Sequence, residues 1–590
     1  MNFFKRVLST VTGIIVFFAL GFVALFLLGL IFGGSSDDVV KVKPNSVLDL
    51  KLDFPINDYA GKTEFAEYPF LNENKKNGLF NIIDAINYAA TDDNIKGISI
   101  DNNFISAGVS QTKALRDALL KFKDSGKFIN AYADIYTQKD YYLSSVADAI
   151  YINPVGAMEF KGLSSERLYF KDFQEKSGLK MEVVRFGKYK SAVEPYLENE
   201  MSDNNREQIA AYLTSIWDEI KSEISESRDI SVVRLNTIAD SLLARNSKLA
   251  KSSQLVDRIA YHDEYVNDLK SLAGIEADKE LERISIADYA IYAAPKVRKG
   301  SYKNKIAVIY AEGEIIYGEG EIGRVGQGSI NKSLKKARED DKVKAIVLRI
   351  NSPGGSALAS ELIWREIELT KKVKPVIVSM GNLAASGGYY IACNADRIFA
   401  EPTTITGSIG VFGVLPNGKE LADRWGINAE QVVTNKNAVS YSFFEPLNDE
   451  QRAFIREGVI DIYEVFTSRV AEGRGMEQDD VKAIAQGRVW TGTAALDNGL
   501  IDELGGLDLA LKYAAEIAEI DAYKIKEFPV FEEDEFGMAL VNRFLNGSKT
   551  KETILKEELG EENYKILKEV KTMSQRKGIQ LLFPFNMEIK

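Results

Sequence analysis

The chain has 590 residues, of which 45% are apolar and 27% charged, a composition typical of a globular protein with more than one domain. Its formal net charge of −12 argues against nucleic acid as the main partner, because phosphate contacts require clustered Lys and Arg side chains. With one histidine and one cysteine, the chain has no intrachain disulfide, a histidine/cysteine zinc site is not expected, and only His262 is available to a Ser-His-Asp triad.

The lone histidine lies in the stretch VDRIAYHDEYV, which is typical of an ordinary surface helix or of the approach to one. We therefore interpret His262 as a surface residue rather than as a catalytic base. Composition leaves a metal site built from carboxylates alone as an open alternative.

Residues 11–32, VTGIIVFFALGFVALFLLGLIF, carry no charge and predict a membrane-spanning helix. At about 1.5 Å per residue, this stretch is long enough for a hydrocarbon core of roughly 30 Å. Lys5 and Arg6 precede it, so the positive-inside rule places the N-terminus in the cytoplasm and the rest of the chain on the other side. The stretch is longer than the apolar core of a signal peptide, about 7–15 residues, and no clear Ala-x-Ala site follows, which favours an uncleaved anchor.

Two stretches of the sequence recur at a constant distance along the chain. DNIKGISI at Asp93 matches DKVKAIVL at Asp341, and YYLSSVADAIYINP at Tyr141 matches YYIACNADRIFAEP at Tyr389. Both pairs are 248 positions apart (341 − 93 and 389 − 141). A repeat of this length predicts a duplicated domain rather than a solenoid, whose units have about 20–50 residues.

Each copy alternates β-branched runs with helical patterns. In the second copy, KAIVLRI and PVIVSM are short apolar runs of the kind that buried parallel strands need. The stretch between them has apolar residues at helical spacing, namely Leu358, Leu362, Ile363, Ile367 and Leu369. The first copy repeats the pattern with IKGISI, QTKALRDALLKFKDSG and KFINAYA. These strand–helix–strand units predict an α/β fold with two tandem βαβ domains.

The apolar stretch, the repeat and the charged C-terminal tail divide the chain into segments. In chain order these are a cytoplasmic N-terminus (1–10), a transmembrane anchor (11–32), a linker (33–45), a first domain (46–300), a second domain (301–530) and a helical C-terminal extension (531–590). The extension ends in the apolar stretch IQLLFPFNM, which we expect to pack against another part of the protein.

Two glycine-rich turns follow successive strands of the second copy. NSPGGSA contains Gly354 and Gly355, and GNLAASGGYY places Ser386 directly before Gly387 at the expected start of a helix. Glycine lets backbone N–H groups approach a ligand closely, and a helix N-terminus offers unpaired N–H groups. The two turns together predict a serine nucleophile and an oxyanion hole made by the Gly387 N–H and an N–H of either Gly354 or Gly355.

The first copy lacks both features. With the offset of 248, Gln138 stands at the position of Ser386, and Ser106 and Ala107 stand at the positions of the two glycines of the NSPGGSA turn. The first copy instead contains RFGKYKSAVEP, and the same offset takes its Lys190 to an alanine in the second copy. One copy therefore keeps a serine and the other a lysine, although Lys436 lies two positions from that alanine, Ala438.

A serine can be activated without a histidine when a lysine amine is neutral. Burial in an apolar pocket lowers the pKa of a lysine by up to several units, and such an amine is a competent general base for a serine hydroxyl. Lys190 is the candidate because its motif belongs to the copy that lacks the serine. Lys188 in the same motif is the competing lysine.

The motifs GKYKSAVEP, NSPGGS, MGNLAASGGYYIA and TGSIGVFG, together with the anchor and the duplication, resemble the signal peptide peptidase A family of bacterial Ser-Lys proteases in its long, duplicated form. The similarity extends past GRVWTGTAALDNGLIDELGG and so spans nearly the whole chain. The resemblance implies a fold of the ClpP and crotonase superfamily, a serine nucleophile at Ser386, a lysine base at Lys190, and neither a metal nor a cofactor. It also implies that Ser408 in TGSIG, the competing serine, is structural or orients Lys190.

The same resemblance implies where and on what the protein acts. Members of the long form assemble as a homotetrameric ring or bowl on the outer face of the bacterial cytoplasmic membrane, to which residues 11–32 would anchor this chain. Their substrates are the remnant signal peptides left by signal peptidase, and other peptides near the membrane are a possible extension.

The glycine-rich turns are also compatible with two other functions. A crotonase-like acyl-CoA enzyme would use a similar oxyanion hole, but it needs neither an anchor that places it outside the cytoplasm nor a serine and a lysine divided between two copies. A catalytically silent membrane scaffold needs neither the intact ASGG turn nor the intact SPGG turn of the second copy. These features favour the protease.

Overall fold

The computed structural model of the chain describes residues 12–13, 16–18, 20–21, 40–63, 78–297, 302–531, 564 and 579–582. Within these ranges no helix is both long and apolar enough to cross a membrane. The predicted N-terminus (1–10), most of the predicted anchor (11–32) and most of the predicted C-terminal extension (531–590) lie outside the described residues.

The chain folds as two α/β halves that repeat the same elements. The central strand–helix–strand unit occurs in both halves at the offset of 248 positions: Ile95–Asp101, Val109–Lys123 and Phe128–Tyr136 in the first, Val343–Ser352, Ala357–Lys371 and Val376–Ala385 in the second. The α/β fold and the duplication that the sequence predicts are therefore confirmed.

The first half contains one six-stranded sheet in which every neighbouring pair is parallel. From edge to edge its strands are Arg258–Ile259, Ala149–Met158, Phe128–Tyr136, Ile95–Asp101, Ser46–Leu50 and Arg283–Ser285. The helices of this half are Leu79–Ala89, Val109–Lys123, Gln138–Ser144, Lys171–Ser177, Glu194–Leu197, Asp203–Arg228, Val232–Asp240, Ser247–Ser252, His262–Leu272 and Ile286–Val297, with a 3₁₀ turn at Ser191–Val193.

The second half contains an eight-stranded, mostly parallel sheet. Its path runs through Val489–Thr491, Ile405–Gly407, Val376–Ala385, Val343–Ser352, Lys305–Glu312 and Lys524–Phe528, with Arg397–Ala400 and Glu503–Leu504 branching from Val376–Ala385. The helices of this half are Gln327–Glu339, Ala357–Lys371, Gly387–Tyr390, Lys419–Arg424, Asp449–Arg474, Gln478–Ile484, Gly492–Asp497 and Leu507–Ile517.

Apolar β-branched side chains explain why the central strands lie inside. Ile98, Ile129, Ile346 and Val378 are fully buried, because helices cover both faces of a parallel sheet. Each such side chain contributes about 1.5–3 kcal/mol to the free energy of unfolding.

The long helices Asp203–Arg228 and Asp449–Arg474 have the same length, 26 residues, and begin in the same way. The Ser202 hydroxyl and the Asn448 amide oxygen each accept a backbone N–H of the first turn, which satisfies a donor that the helix leaves free. Equal helices with equivalent N-caps indicate that the duplication extends well beyond the central unit.

A third sheet joins the two halves. Its strands, from edge to edge, are Gly320–Glu321, Arg324–Gly326, Glu314–Ile316, Gly354–Ser356, Ile579–Leu582, Val411–Asn417 and Lys180–Phe186. Lys180–Phe186 comes from the first half and pairs antiparallel with Val411–Asn417 of the second half through seven residue pairs. The sheet also includes Ile579–Leu582, so the C-terminal extension is not helical throughout.

The N-terminal segment 40–63 also crosses between the halves. Asp58 accepts a hydrogen bond of 2.8 Å from Nε of Arg349, and the side chains are 1% and 3% exposed. Removing one member of a buried ion pair leaves an uncompensated charge and costs about 3–5 kcal/mol. The third sheet and this ion pair therefore both hold the two halves in a fixed relative position.

Candidate active site

Ser386 lies between the strand Val376–Ala385 and the short helix Gly387–Tyr390, and it is fully buried. Its backbone has φ 55° and ψ −114°, a region that costs a non-glycine residue about 1–3 kcal/mol. The Ser386 N–H donates to the Gly407 carbonyl at 2.8 Å, which helps to hold this conformation. Strain of this kind, maintained by the surrounding backbone, is typical of functional positions.

The two glycine-rich turns predicted from the sequence lie against each other. A Cβ atom on Gly387 would come within 3.1 Å of both the Cα of Gly354 and the backbone nitrogen of Gly355. A Cβ on Gly355, whose φ is 157°, would lie 2.0 Å from the Ile315 carbonyl oxygen. Glycine is therefore required where these backbone segments approach one another.

A serine hydroxyl fixes the backbone of the turn that contains Gly354 and Gly355. The Gly354 N–H donates to Ser352 Oγ at 3.1 Å, and the Ser352 hydroxyl donates in turn to the Gly313 carbonyl at 2.6 Å. The turn then leads into the helix Ala357–Lys371, whose first turn is capped by the Ser356 hydroxyl.

Lys190 enters this site from the first half of the chain. Its Nζ atom lies 2.8 Å from Ser386 Oγ, and 3.0 Å from both the carbonyl oxygen and Oγ of Ser408. All three residues are 0% exposed. The structure thus brings together Ser386, Lys190 and Ser408, although 196 positions separate the first two in the sequence.

Burial dominates the electrostatics of the lysine. It lowers the pKa of Lys190 well below the ordinary lysine value of 10.5, because a buried ammonium loses its hydration. The aromatic ring of Phe412 lies on the same pocket wall, with its centre 5.9 Å from Nζ. The amine therefore sits in surroundings that favour its neutral form.

Space for the lysine stem depends on a glycine that the sequence did not single out. Gly487 has φ 83°, and a Cβ there would lie 2.6 Å from Cβ and 2.7 Å from Cα of Lys190. Gly410, in the TGSIGVFG motif, leaves room for the lysine Cδ. Nothing in the local stretch AQGRVW marks Gly487, since its neighbour comes from the other half.

A buried glutamine fixes the loop that carries the lysine. Gln208 Nε2 donates to the Tyr189 carbonyl at 3.1 Å and to Ser191 Oγ at 2.9 Å, on either side of Lys190. Its Oε1 atom accepts the Val489 N–H of the second half at 3.4 Å. Gln208 therefore ties the lysine loop to the half that carries the serine.

The competing basic residues lie elsewhere. Lys188 is exposed, and Lys436 is 78% exposed and forms an ion pair of 2.6 Å with Glu450. His262 is half-exposed at the first residue of its helix, with Nε2 3.2 Å from Asp101. None of the three contacts Ser386.

A carboxylate metal site and the single cysteine are the remaining candidates for other chemistry. Within the described residues, no group of three or more His, Cys, Asp or Glu side chains is arranged to hold a metal ion. Burial raises the pKa of the Cys393 thiol to about 12, so this cysteine stays protonated and is a poor nucleophile.

The position equivalent to Ser386 in the first half is filled differently. Gln138 Oε1 accepts the backbone N–H groups of Lys161 and Gly162 at 3.1 and 2.9 Å, and its Nε2 donates to the Gly162 carbonyl at 3.2 Å. The counterpart of Lys190, Ala438, is exposed. The first half therefore holds a closed pocket without a nucleophile.

Comparisons with known proteins agree in both halves. The family model of peptidase family S49 matches residues 121–276 and 368–521, and that of Clp protease matches residues 298–405. Protease 4 of Haemophilus influenzae is 35% identical over 548 residues, which cover 90% of this chain and 88% of the relative.

Two further relatives show a similar extent. Protease 4 of Salmonella typhi is 37% identical over 461 residues, covering 76% of this chain and 74% of the relative. The chloroplastic serine protease SPPA of Arabidopsis thaliana is 33% identical over 492 residues, covering 82% and 71%. The duplicated α/β halves have the ClpP-like fold, and the chain belongs to peptidase family S49 as a serine protease.

Proposed function

We propose that the protein hydrolyses peptides with Ser386 as the nucleophile and Lys190 as the general base. The observation that carries the proposal is the 2.8 Å contact between Lys190 Nζ and Ser386 Oγ in a fully buried site. A catalytically silent scaffold would not need this contact or the strained backbone of Ser386. A crotonase-like acyl-CoA enzyme would not need a lysine at the serine.

The three contacts of Lys190 suit a neutral amine. Such an amine has two N–H donors and one lone pair. The carbonyl oxygen and Oγ of Ser408 accept the two N–H groups, which leaves the lone pair directed at the hydroxyl of Ser386. In this proposal Ser408 orients the base.

The reaction follows from this geometry. Lys190 takes the hydroxyl proton as Ser386 Oγ attacks the scissile carbonyl carbon, and the resulting ammonium gives that proton to the leaving amine. The neutral amine then activates the water that hydrolyses the acyl-enzyme. The oxyanion is held by the Gly387 N–H and by an N–H of the turn that contains Gly354 and Gly355.

The test compares Ser386→Ala, Lys190→Ala and the matched surface variant Lys188→Ala. We expect the first two to lower kcat/KM for a peptide substrate by at least about 10³-fold with an unchanged melting temperature, because general base and nucleophile act as one unit. Lys188→Ala should retain the parent rate. A serine-directed acylating reagent should label the parent but not Ser386→Ala. Hydrolysis by Lys190→Ala at the parent rate would exclude the proposed base.

The proposed natural substrates are remnant signal peptides released by signal peptidase. The resemblance in sequence and the apolar stretch at residues 11–32 support this choice, since both associate the protein with the site where these peptides accumulate. Mass spectrometry should show that a released signal peptide in detergent micelles is cut at least about tenfold faster than a charged peptide of equal length. Equal rates for the two peptides would argue for a broader substrate range.

We also propose that residues 11–32 anchor the protein, with its catalytic part on the outer face of the cytoplasmic membrane. The uncharged stretch and the preceding Lys5 and Arg6 support this orientation. The full chain should remain with membranes through an alkaline wash, and a chain beginning at residue 40 should not. Protease added outside intact spheroplasts should cut the full chain; protection would reverse the orientation.

The repeat supports a homotetrameric ring. Lys180–Phe186 and Val411–Asn417 pair within the chain. Their equivalents, 428–434 (180 + 248) and 163–169 (411 − 248), are not among the strands of the described residues, and 428–434 is exposed. A head-to-tail ring would pair 428–434 of one copy with 163–169 of the next, because heterologous contacts close into rings.

Light scattering tests this assembly. We expect a tetramer for the parent and for Val432→Ala, and smaller species for Val432→Pro, which removes a backbone donor in 428–434. Val432 is exposed in the single chain, so the proline does not disturb its core. A tetramer in the proline variant would place the interface elsewhere, and a monomeric parent would exclude the ring.

A further inference from the structure

The strand Ile579–Leu582 occupies a particular place in the third sheet. It pairs antiparallel with Gly354–Ser356 on one side, where Leu582 faces Gly354 and Leu581 faces Gly355. On the other side it pairs antiparallel with Val411–Asn417. The end of the chain is thus held between two strands through its main chain.

Both neighbours of this strand belong to the candidate active site. Gly354–Ser356 carries the glycine turn that packs against Gly387, next to Ser386. Val411–Asn417 carries Phe412, whose ring centre lies 5.9 Å from Lys190 Nζ. The C-terminal strand therefore bridges the wall that carries the oxyanion glycines and the wall of the lysine pocket.

Without the C-terminal strand, this position is a groove suited to an extended peptide. Gly354–Ser356 and the Phe412–Gly413 part of the facing strand would then have edges free for main-chain pairing, which is how strand addition binds peptides. Gly354, Gly355 and Gly413 have no side chains, so this recognition is largely independent of peptide sequence.

We propose that Ile579–Leu582 is a tethered, substrate-like strand that occupies the peptide groove of its own chain and must leave before another peptide binds. The groove takes an extended peptide paired through its main chain on both sides. This inference rests on the proposed function in one respect, since that function identifies the groove as the site where the substrate binds.

Occupation of the groove by the chain itself reduces its apparent affinity for any other peptide. The apparent dissociation constant equals the intrinsic one divided by the fraction of molecules whose groove is open. If the strand is bound in about nine-tenths of the molecules, its removal tightens binding of a free peptide about tenfold.

The test measures binding in a Ser386→Ala background, where a substrate-like strand stays uncut. The probe is a fluorescent synthetic peptide with the sequence of residues 579–590, and fluorescence polarisation gives its Kd. A chain ending at Gly578 should bind the probe about tenfold more tightly than the full chain. Equal binding by the two chains, or no binding by either, would overturn the inference.

A matched pair of variants separates strand pairing from truncation. Gln580 pairs with Ser356 on one side and with Phe412 on the other, so its N–H faces one of the two neighbours. Gln580→Pro removes that donor and should bind the probe like the truncated chain, whereas Gln580→Ala keeps it and should bind like the parent. Weak binding by both variants would exclude main-chain pairing as the cause.

Kinetics with Ser386 intact distinguish this inference from the proposed function. Truncation at Gly578 should lower KM for a peptide about tenfold and leave kcat unchanged, because it frees the groove without touching the dyad. If no chain shows Ser386-dependent hydrolysis, the proposed function fails, while the binding measurements still decide the role of the strand. Ser386-dependent hydrolysis with the same KM in both chains would overturn only the inference.

Discussion

The two halves of the molecule share one architecture and differ in what fills one position. In the second half, Ser386 stands at the end of the central strand with its Oγ 2.8 Å from Lys190 Nζ, and Gly410 and Gly487 leave space for the lysine side chain. In the first half, Gln138 stands at that position and bonds to the backbone of Lys161 and Gly162. The position that receives the amine of Lys190 in the second half is thus occupied by the amide of Gln138 in the first half.

The segment that follows the helix Lys171–Ser177 also has a different structure from its equivalent in the second half. In the first half, the segment that follows the helix Lys171–Ser177 becomes the strand Lys180–Phe186 and delivers Lys190 to the other half. Its equivalent in the second half, 428–434, remains exposed. In the proposed mechanism, one copy supplies the segment that carries Lys190 and the other copy supplies the pocket around Ser386.

The largest expected effect comes from Lys190→Arg. Arginine keeps its charge in a protein, so it cannot act as a base where a neutral amine is required. We expect kcat/KM for a peptide substrate to fall by at least about 10³-fold, as far as in Lys190→Ala. An arginine variant with substantial activity would mean that the lysine acts through its positive charge. The assignment of Lys190 as a neutral base would then be wrong.

Gly487→Ala should have the next largest effect, about 10²-fold in kcat/KM. Its Cβ would lie 2.6 Å from Lys190 Cβ, so the lysine backbone must shift, and displacements of this kind cost about two orders of magnitude. Gly499→Ala is the matched control, because Gly499 has a similar φ of 73° and its Cβ would have only Met476 Sδ, 4.0 Å away, as a neighbour. Equal losses in the two variants would assign the effect to backbone strain alone.

The rate should depend on pH through Lys190. Because burial lowers the pKa of Lys190 in the folded enzyme, kcat/KM should rise about tenfold per pH unit below that pKa and level off well below pH 10.5. The unfolded chain binds a proton more readily than the folded one in this range, so stability also rises with pH there. A profile that levels off only near pH 10.5 would mean a solvated lysine.

The smallest effect on activity is expected from Gln138→Ala. The change removes three hydrogen bonds of a buried side chain and should lower the free energy of unfolding of the first half by about 1–3 kcal/mol. The rate of peptide hydrolysis should stay unchanged, and Gln431→Ala, at an exposed position, should change neither quantity. Loss of activity at wild-type stability would show that the closed pocket takes part in catalysis.

The sequence predicted those features that depend on local pattern. The constant offset of 248 identified the duplication, and the two predicted glycine-rich turns do lie against each other next to Ser386. Gln208 and Gly487 were missed because their roles arise only when helices and loops from different halves come together. A single buried glutamine on a polar helix forms no local pattern by which a single sequence could identify it.

The helix Ala357–Lys371 was predicted correctly, and its buried face was predicted in part, since Ile363 and Ile367 of the predicted stripe are fully buried. The predicted apolar stripe included Leu358, which is 60% exposed, whereas Ala359 and Ser360 are fully buried. The Ser360 hydroxyl lies where a Cβ on Gly387 would come within 2.8 Å, so the tight approach to the active-site turn selects small residues on this face. Hydrophobic periodicity alone does not register such a constraint.

The separation of 196 positions between Lys190 and Ser386 has a consequence for how the enzyme is made. Ribosomes synthesise Lys190 first, and at about 5–20 residues per second Ser386 follows many seconds later. The lysine loop also needs Gly487 and Val489 from still later in the chain. With the dyad proposed above, a nascent chain gains proteolytic activity only when synthesis of both halves is nearly finished.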